Sequence, residues 1–101
     1  MKTIIQEQGK QVIVTLEGRL DAPSTTGVEM QMAHIFDIKN GEIIIDCTNL
    51  EYISSSGLRL FLSIKKQCVS NNSKLKMKSV NSFVREVFLA SGFIQIFEIV
   101  D

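Results

Sequence analysis

The sequence predicts an α/β protein with a mostly parallel sheet and crossover helices. After an opening hairpin, strand-like segments alternate with segments of helical periodicity along the 101 residues. Parallel strands need long connections, which are usually helices, so this alternation favours a parallel sheet. The unbroken apolar run at 43–45 is typical of a central strand that is covered on both faces.

The predicted elements are bounded by glycine, proline, asparagine or serine, which favour turns. In chain order they are a strand at 4–5, a turn at 7–10, a strand at 12–16, a loop at 17–23, a helix at 24–39, a strand at 42–47, a helix at 57–69, a turn at 70–73, a strand at 74–78, a helix from 81 or 82 to 91 and a strand at 93–99. Apolar residues spaced three and four apart indicate the helices, and strict alternation indicates the strand at 74–78. Pro23 suits a first helical turn, and Gly92 suits the position just after a helix end.

Composition predicts one soluble, cytoplasmic domain over residues 1–101. Lys+Arg and Asp+Glu both number 11 and the pI is about 6.6, so the electrostatic attraction that drives direct nucleic-acid binding is missing. The longest apolar runs are three or four residues, too short for membrane insertion, and the N-terminus turns polar too soon for a signal peptide. Cys47 and Cys68 lack motif spacing and are expected to stay reduced.

Residue patterns for catalysis are missing as well, so we expect no enzyme, no cofactor and no metal. A nucleophile elbow needs a glycine two residues before its serine, and none of the serines at 54–56 has one. A triad needs a histidine base, but the sole histidine, His34, projects away from the apolar stripe of its predicted helix. One histidine and two separated cysteines form no metal-ligand cluster.

The stretch at 52–60 is the strongest candidate for function. Ser54, Ser55 and Ser56 precede Gly57 between a buried strand and a helix, where backbone N–H groups and the helix dipole favour a negative charge. One serine is expected either to cap the helix or to carry a phosphate that is added and removed. Gly57 is expected to leave room beside Ser56 for a phosphate or for a partner's backbone.

Two carboxylates and one cation complete the predicted site. Asp21 and Asp46 each follow a predicted strand, and both would lie near the serines if those strands are adjacent. They are expected either to form turns or to orient the serine hydroxyl and repel an added phosphate. Arg59 and Ser63, with Gly57, are expected on a partner-facing side of the second helix, although Arg59 also fits an ordinary solvated face.

Four segments, at 18–22, 44–50, 53–59 and 91–93, together resemble the STAS-domain family, and within it a bacterial anti-sigma-factor antagonist. The resemblance runs nearly end to end. It implies a STAS-like α/β fold, with a mixed β-sheet of four to five strands and helices packed mainly on one face.

The resemblance also implies partner switching. In this family the unphosphorylated protein binds an anti-sigma factor with serine kinase activity and frees the sigma factor. ATP-dependent phosphorylation ends that binding, and a metal-dependent serine phosphatase restores it. A constitutive STAS interaction subunit of a transporter or signalling complex is the alternative.

The phosphorylated serine of the family directly precedes the motif glycine, which corresponds to Ser56 here. Ser54 stands where a familiar member carries aspartate, so Ser55 is kept as a second acceptor. Asp21 matches an acidic residue near the family's site.

Overall fold

The computed structural model describes residues 1–101 as a six-stranded mixed sheet with three α-helices. In chain order the elements are β1 (Lys2–Gln8), β2 (Gln11–Leu20), α1 (Ala22–Met32), a 3₁₀ turn (Ala33–Ile35), β3 (Glu42–Asp46), β4 (Leu50–Ile53), α2 (Ser55–Ser70), β5 (Lys74–Lys78), α3 (Ser82–Ser91), a second 3₁₀ turn (Phe93–Gln95) and β6 (Glu98–Val100). None of the helices has the length and apolar character that crossing a membrane requires.

The sheet has the order β1-β2-β3-β5-β6, and β4 pairs with β2 beyond the end of β3. Only β1 and β2 are antiparallel; the other pairs are parallel. The predicted α/β class and mostly parallel sheet are therefore confirmed, with six strands instead of four to five. Helical crossovers join the parallel strands, as their direction requires.

One face of the sheet carries the core and the other is wet. In β3, Ile43 and Ile45 are buried and pair with buried residues of the neighbouring strands, whereas Ile44 is only partly covered. Beside Ile44 lies an ion pair between Lys76 Nζ and Glu42 Oε2, 2.8 Å long. The expectation that this strand is buried on both faces is therefore wrong, because charged side chains occupy the second face.

Three aromatic rings join the two C-terminal helices to the chain that follows them. Phe61 of α2 contacts Phe88 of α3 edge to face at 6.4 Å between ring centroids, and Phe97 lies 6.3 and 5.4 Å from these two rings. The predicted strand at 93–99 is accordingly wrong over its first part. The chain turns at Phe93–Gln95 to bring Phe97 into the core, and only Glu98–Val100 pairs with β5.

Other elements also differ from prediction, among them β1, which spans Lys2–Gln8, and α2, which begins at Ser55. The segment 17–23 is not a loop, since β2 continues through a register shift at Gly18 (φ 104°) to Leu20 and α1 begins at Ala22. Helix α1 stops at Met32 instead of 39. Strand β4 was not predicted, because four residues are too few to show alternation.

Cys47 and Cys68 are both buried free thiols. Burial raises the pKa of the Cys47 thiol to about 12, so it is an inert part of the core.

Candidate functional site

The serine segment begins α2 directly after β4. The backbone N–H of Ser54 donates to the carbonyl oxygen of Leu20 at 2.9 Å, which extends the parallel pairing of β4 with β2 by one residue. Helix α1 begins two residues after Leu20. The starts of α1 and α2 are therefore held side by side at the carboxyl ends of two paired strands.

Ser54 is the serine that caps α2. Its Oγ accepts a hydrogen bond from the backbone N–H of Gly57 at 3.2 Å, and its own backbone is extended. Serine is among the preferred residues at this position, because its oxygen satisfies a donor that the helix leaves unpaired. The capping alternative is thus confirmed for Ser54, which leaves the hydroxyls of Ser55 and Ser56 without that task.

Ser55 and Ser56 occupy the first two positions of α2. Ser55 is exposed and Ser56 is partly buried. Backbone N–H groups in the first turn of a helix have no acceptor within the helix, so this end of α2 carries partial positive charge. Arg59, one turn later and exposed, donates from Nη2 to Ser56 Oγ at 3.3 Å.

Gly57 has a different role from the one that the sequence suggested. It is buried, and a Cβ placed on it would lie 2.9 Å from Cγ1 of Ile53 and from two side-chain carbons of Leu20. The missing side chain therefore allows α2 to pack closely on β2 and β4. The expectation that Gly57 opens space for a phosphate or a partner's backbone is wrong, because the core already fills that space.

Asp21 lies beside the serine segment and caps α1. Its Oδ1 accepts from the backbone N–H of Ser24 at 3.1 Å and from Ser24 Oγ at 2.8 Å, while Ser24 Oγ also accepts from the Asp21 N–H at 2.9 Å. This reciprocal arrangement is a capping box. The hydrogen bonds from Ser24 lower the pKa of the Asp21 carboxyl, with Arg19 adding a smaller effect of the same sign.

Asp46 lies elsewhere. Its Oδ1 accepts from the backbone N–H and the hydroxyl of Thr48 at 3.0 and 2.6 Å, which closes a turn. It pairs in register with Thr15, five residues before Leu20 on β2, which is roughly 17 Å at the usual strand rise. The structure therefore brings Asp21 but not Asp46 to the serines, since β4 and not β3 leads into them.

One cluster beside the serine segment was not predicted. The guanidinium carbon of Arg19 lies 4.2 Å from the centre of the Tyr52 ring, and that ring lies 6.5 Å from the ring of Phe83. Phe83 is 45% exposed. The pairing of β2 with β4 brings Arg19 beside Tyr52. The sequence does not predict β4, and so it does not predict this cluster either.

His34 takes no part in this site. It is exposed, as expected, and its Nε2 lies 3.3 Å from Glu7 Oε2, close to the hairpin turn that joins β1 to β2. The serines lie at the opposite end of β2, beside Leu20.

Comparison with known proteins identifies the family of this chain. The STAS domain family matches residues 2–101. A Bordetella bronchiseptica protein described as a candidate anti-sigma factor antagonist, BtrV, is 31% identical over 99 residues, which covers 98% of this chain and 85% of BtrV.

Solved structures agree on the fold. A candidate anti-sigma factor antagonist from Thermotoga maritima is similar with a TM-score of 0.87 at 21% identity, covering 98% of this chain and 86% of that one. The Bacillus cell fate determinant SpoIIAA in its phosphorylated form gives a TM-score of 0.77 at 17% identity, covering 99% and 92%. At such identities the structures establish the fold alone, but the family match spans nearly all residues, and the chain belongs to the STAS-domain family.

Proposed function

We propose that this protein is an anti-sigma-factor antagonist that is controlled by phosphorylation of Ser56. In its unphosphorylated form it binds an anti-sigma factor with serine kinase activity, and the sigma factor is released. The observation that carries the proposal is that the serines have different structural roles. Ser54 caps α2, so the Ser56 hydroxyl can be modified without loss of the cap.

Ser56 is favoured over its neighbour for two reasons. It directly precedes Gly57, as the phosphorylated serine of the family precedes its glycine, and it is the serine that Arg59 contacts. Ser55 is more exposed but has no comparable contact, and it stays the second candidate. The Bordetella relative BtrV, described as a candidate anti-sigma factor antagonist, supports a regulatory role, and SpoIIAA, which shares the fold, has been solved in a phosphorylated form.

The group transfer is a simple displacement. Ser56 Oγ attacks the γ-phosphorus of ATP, the new Oγ–P bond forms, and the bond from that phosphorus to the bridging oxygen breaks, so that ADP leaves. The hydroxyl proton passes to a base of the kinase. A serine phosphatase reverses the change by hydrolysis, which releases inorganic phosphate and restores the hydroxyl.

The position suits a reversible switch. A phosphate adds about −1.5 to −2 charges, which the start of a helix tolerates or favours. The fold therefore persists while the charge and bulk of the surface change. The exposed Arg59 and Ser63 and the partly buried Ser56 form the partner-facing surface of the proposal. A phosphate dianion within that surface ends the binding.

The test uses the purified chain, ATP and each purified anti-sigma factor of the source organism that has kinase activity. One of them is expected to bind the chain, to release its sigma factor and to place one phosphate on Ser56, as peptide mass spectrometry would show. Ser55→Ala should accept the phosphate and Ser56→Ala should not. A kinase that binds and is active, yet places no phosphate within 53–59, would overturn the switch.

A pull-down separates the alternative. Recovery of transporter ATPase subunits, with no change for Ser56→Asp, would assign the chain to a constitutive complex instead.

A further inference from the structure

The guanidinium of Arg59 has no carboxylate partner. The two ion pairs of the molecule join Lys76 to Glu42 and His34 to Glu7. The side-chain hydrogen bond of Arg59 goes to the neutral hydroxyl of Ser56. An exposed arginine is thus held next to the proposed phosphorylation site with its charge unmatched.

The spacing explains why the two side chains meet. Residues three apart lie on the same face of a helix, and long side chains lean toward the N-terminus. Arg59 therefore extends back over the first turn of α2, toward Ser56. Arginine can only donate hydrogen bonds, so in this contact the Ser56 oxygen accepts and its own proton points elsewhere.

We propose that Arg59 is a positioning residue that binds the phosphate of phosphorylated Ser56 and holds it along α2. This inference rests on the proposed function for the identity of the modified serine. Phosphorylation turns a weak hydrogen bond to a neutral oxygen into a charge-assisted contact with a dianion, and guanidinium is suited to bind two phosphate oxygens at once. Arg59 then has a defined contact in both states of the switch: with the Ser56 hydroxyl before phosphorylation and with the phosphate after it.

The pairing has two consequences. Arg59 neutralises part of the added charge, and it favours the fully ionised phosphate over the monoanion. It also holds the phosphate on the α2 side, away from Asp21, which caps the neighbouring helix. Arg19, a second cation near this end of the sheet, is stacked on Tyr52.

The test installs phosphoserine at position 56 during translation, so it needs neither the kinase nor the partner. The second pKa of the phosphate is read by ³¹P NMR in the otherwise unchanged chain, in Arg59→Gln and in Arg59→Lys. We expect it to lie lower with arginine than with glutamine by roughly half a unit, the size of an exposed ion pair. Lysine should restore part of the difference, because it keeps the charge but not the planar fork.

Lys66→Gln is the matched control, since Lys66 is an exposed cation on the same helix at roughly 15 Å along the axis. It should leave the phosphate pKa unchanged, and equal shifts for both glutamine variants would overturn the proposal. The Arg59 guanidinium resonances of the phosphorylated chain need no substitution and should follow the ionisation of the phosphate. Resonances that do not move would also contradict the pairing.

These outcomes are independent of the proposed function. If no kinase partner exists, the proposed function is refuted, but the pairing of Arg59 with the phosphate can still be measured. If the phosphate pKa does not depend on Arg59, the pairing is refuted, but partner switching at Ser56 is unaffected.

Discussion

Leu20 occupies the space that a side chain on Gly57 would need. Two Leu20 carbons lie 2.9 Å from the position of a Cβ on Gly57, and Leu20 itself is completely buried. The residue after the proposed phosphorylation site is therefore fixed by the packing of α2 on β2. The partial burial of Ser56 and the full burial of Gly57 both follow from the way α2 begins on these strands.

Gly57→Ala is expected to destabilise the fold. Overpacking a filled core costs about 1–3 kcal/mol, of which the better helix propensity of alanine returns up to about 1 kcal/mol. Urea unfolding should show the lower free energy of unfolding. Gly27→Ala is the control, because Gly27 lies on α1 with nothing within 4 Å of its Cβ position. That change should stabilise, and an equal gain at Gly57 would contradict the close packing.

Ser54→Ala should lower the free energy of unfolding by about 1 kcal/mol, the usual effect of losing an N-cap. Ser54→Asp should retain most of the stability, because aspartate caps equally well and adds a charge that the helix start favours. Ser55→Ala is the neighbouring control, since the cap bond to Gly57 comes from Ser54. Similar losses for Ser54→Ala and Ser55→Ala in thermal or urea unfolding would argue against this assignment.

Much of the fold could be predicted because periodicity is local. Alternation predicts the strand Lys74–Lys78 at its observed bounds. Gly92, which adopts a left-handed conformation (φ 81°), correctly predicts the end of α3. Strand β4 is not predictable in this way, because its four residues are too few to show alternation and its pairing with β2 is a long-range contact. The expected position of Asp46 is wrong for the same reason, because without β4 the sequence places β3 directly before the serines.

The site could be predicted only in part, for a similar reason. A run of serines before a glycine indicates a helix start, but the sequence does not say which serine caps it or what faces the glycine. The side chains that face Gly57 are Leu20 and Ile53, on the two strands beneath α2. The contact of Arg59 with Ser56, in contrast, was open to prediction, because the spacing of three on a helix is visible in the sequence.

The pKa of Asp21 should lie below its usual value of 3.8 and rise toward it in Ser24→Ala. The Ser24 hydroxyl and N–H donate to the carboxylate and favour its charged form. A pKa that is lowered in the folded state gives stability that is present above pH 3.8 and is lost as the pH falls through the folded value. Carboxyl ¹³C NMR titration measures the shift, with Thr26→Ala, at an exposed position of α1, as the control. An unchanged Asp21 titration in Ser24→Ala would contradict the capping box as the cause.

Ser56→Asp should fold normally yet lose binding to the anti-sigma factor, whereas Ser56→Ala should bind and resist phosphorylation. Aspartate places a negative charge at the start of α2, where the helix dipole favours it, and alanine leaves the Ser54 cap in place. Thermal unfolding and equilibrium binding to the purified anti-sigma factor measure the two effects separately. Ser63→Asp adds the same charge two turns later on the exposed side of α2, so it separates the effect of position from that of charge. A large fall in Tm for Ser56→Asp would contradict the helix-dipole argument, and undiminished binding by a well-folded Ser56→Asp would contradict the switch.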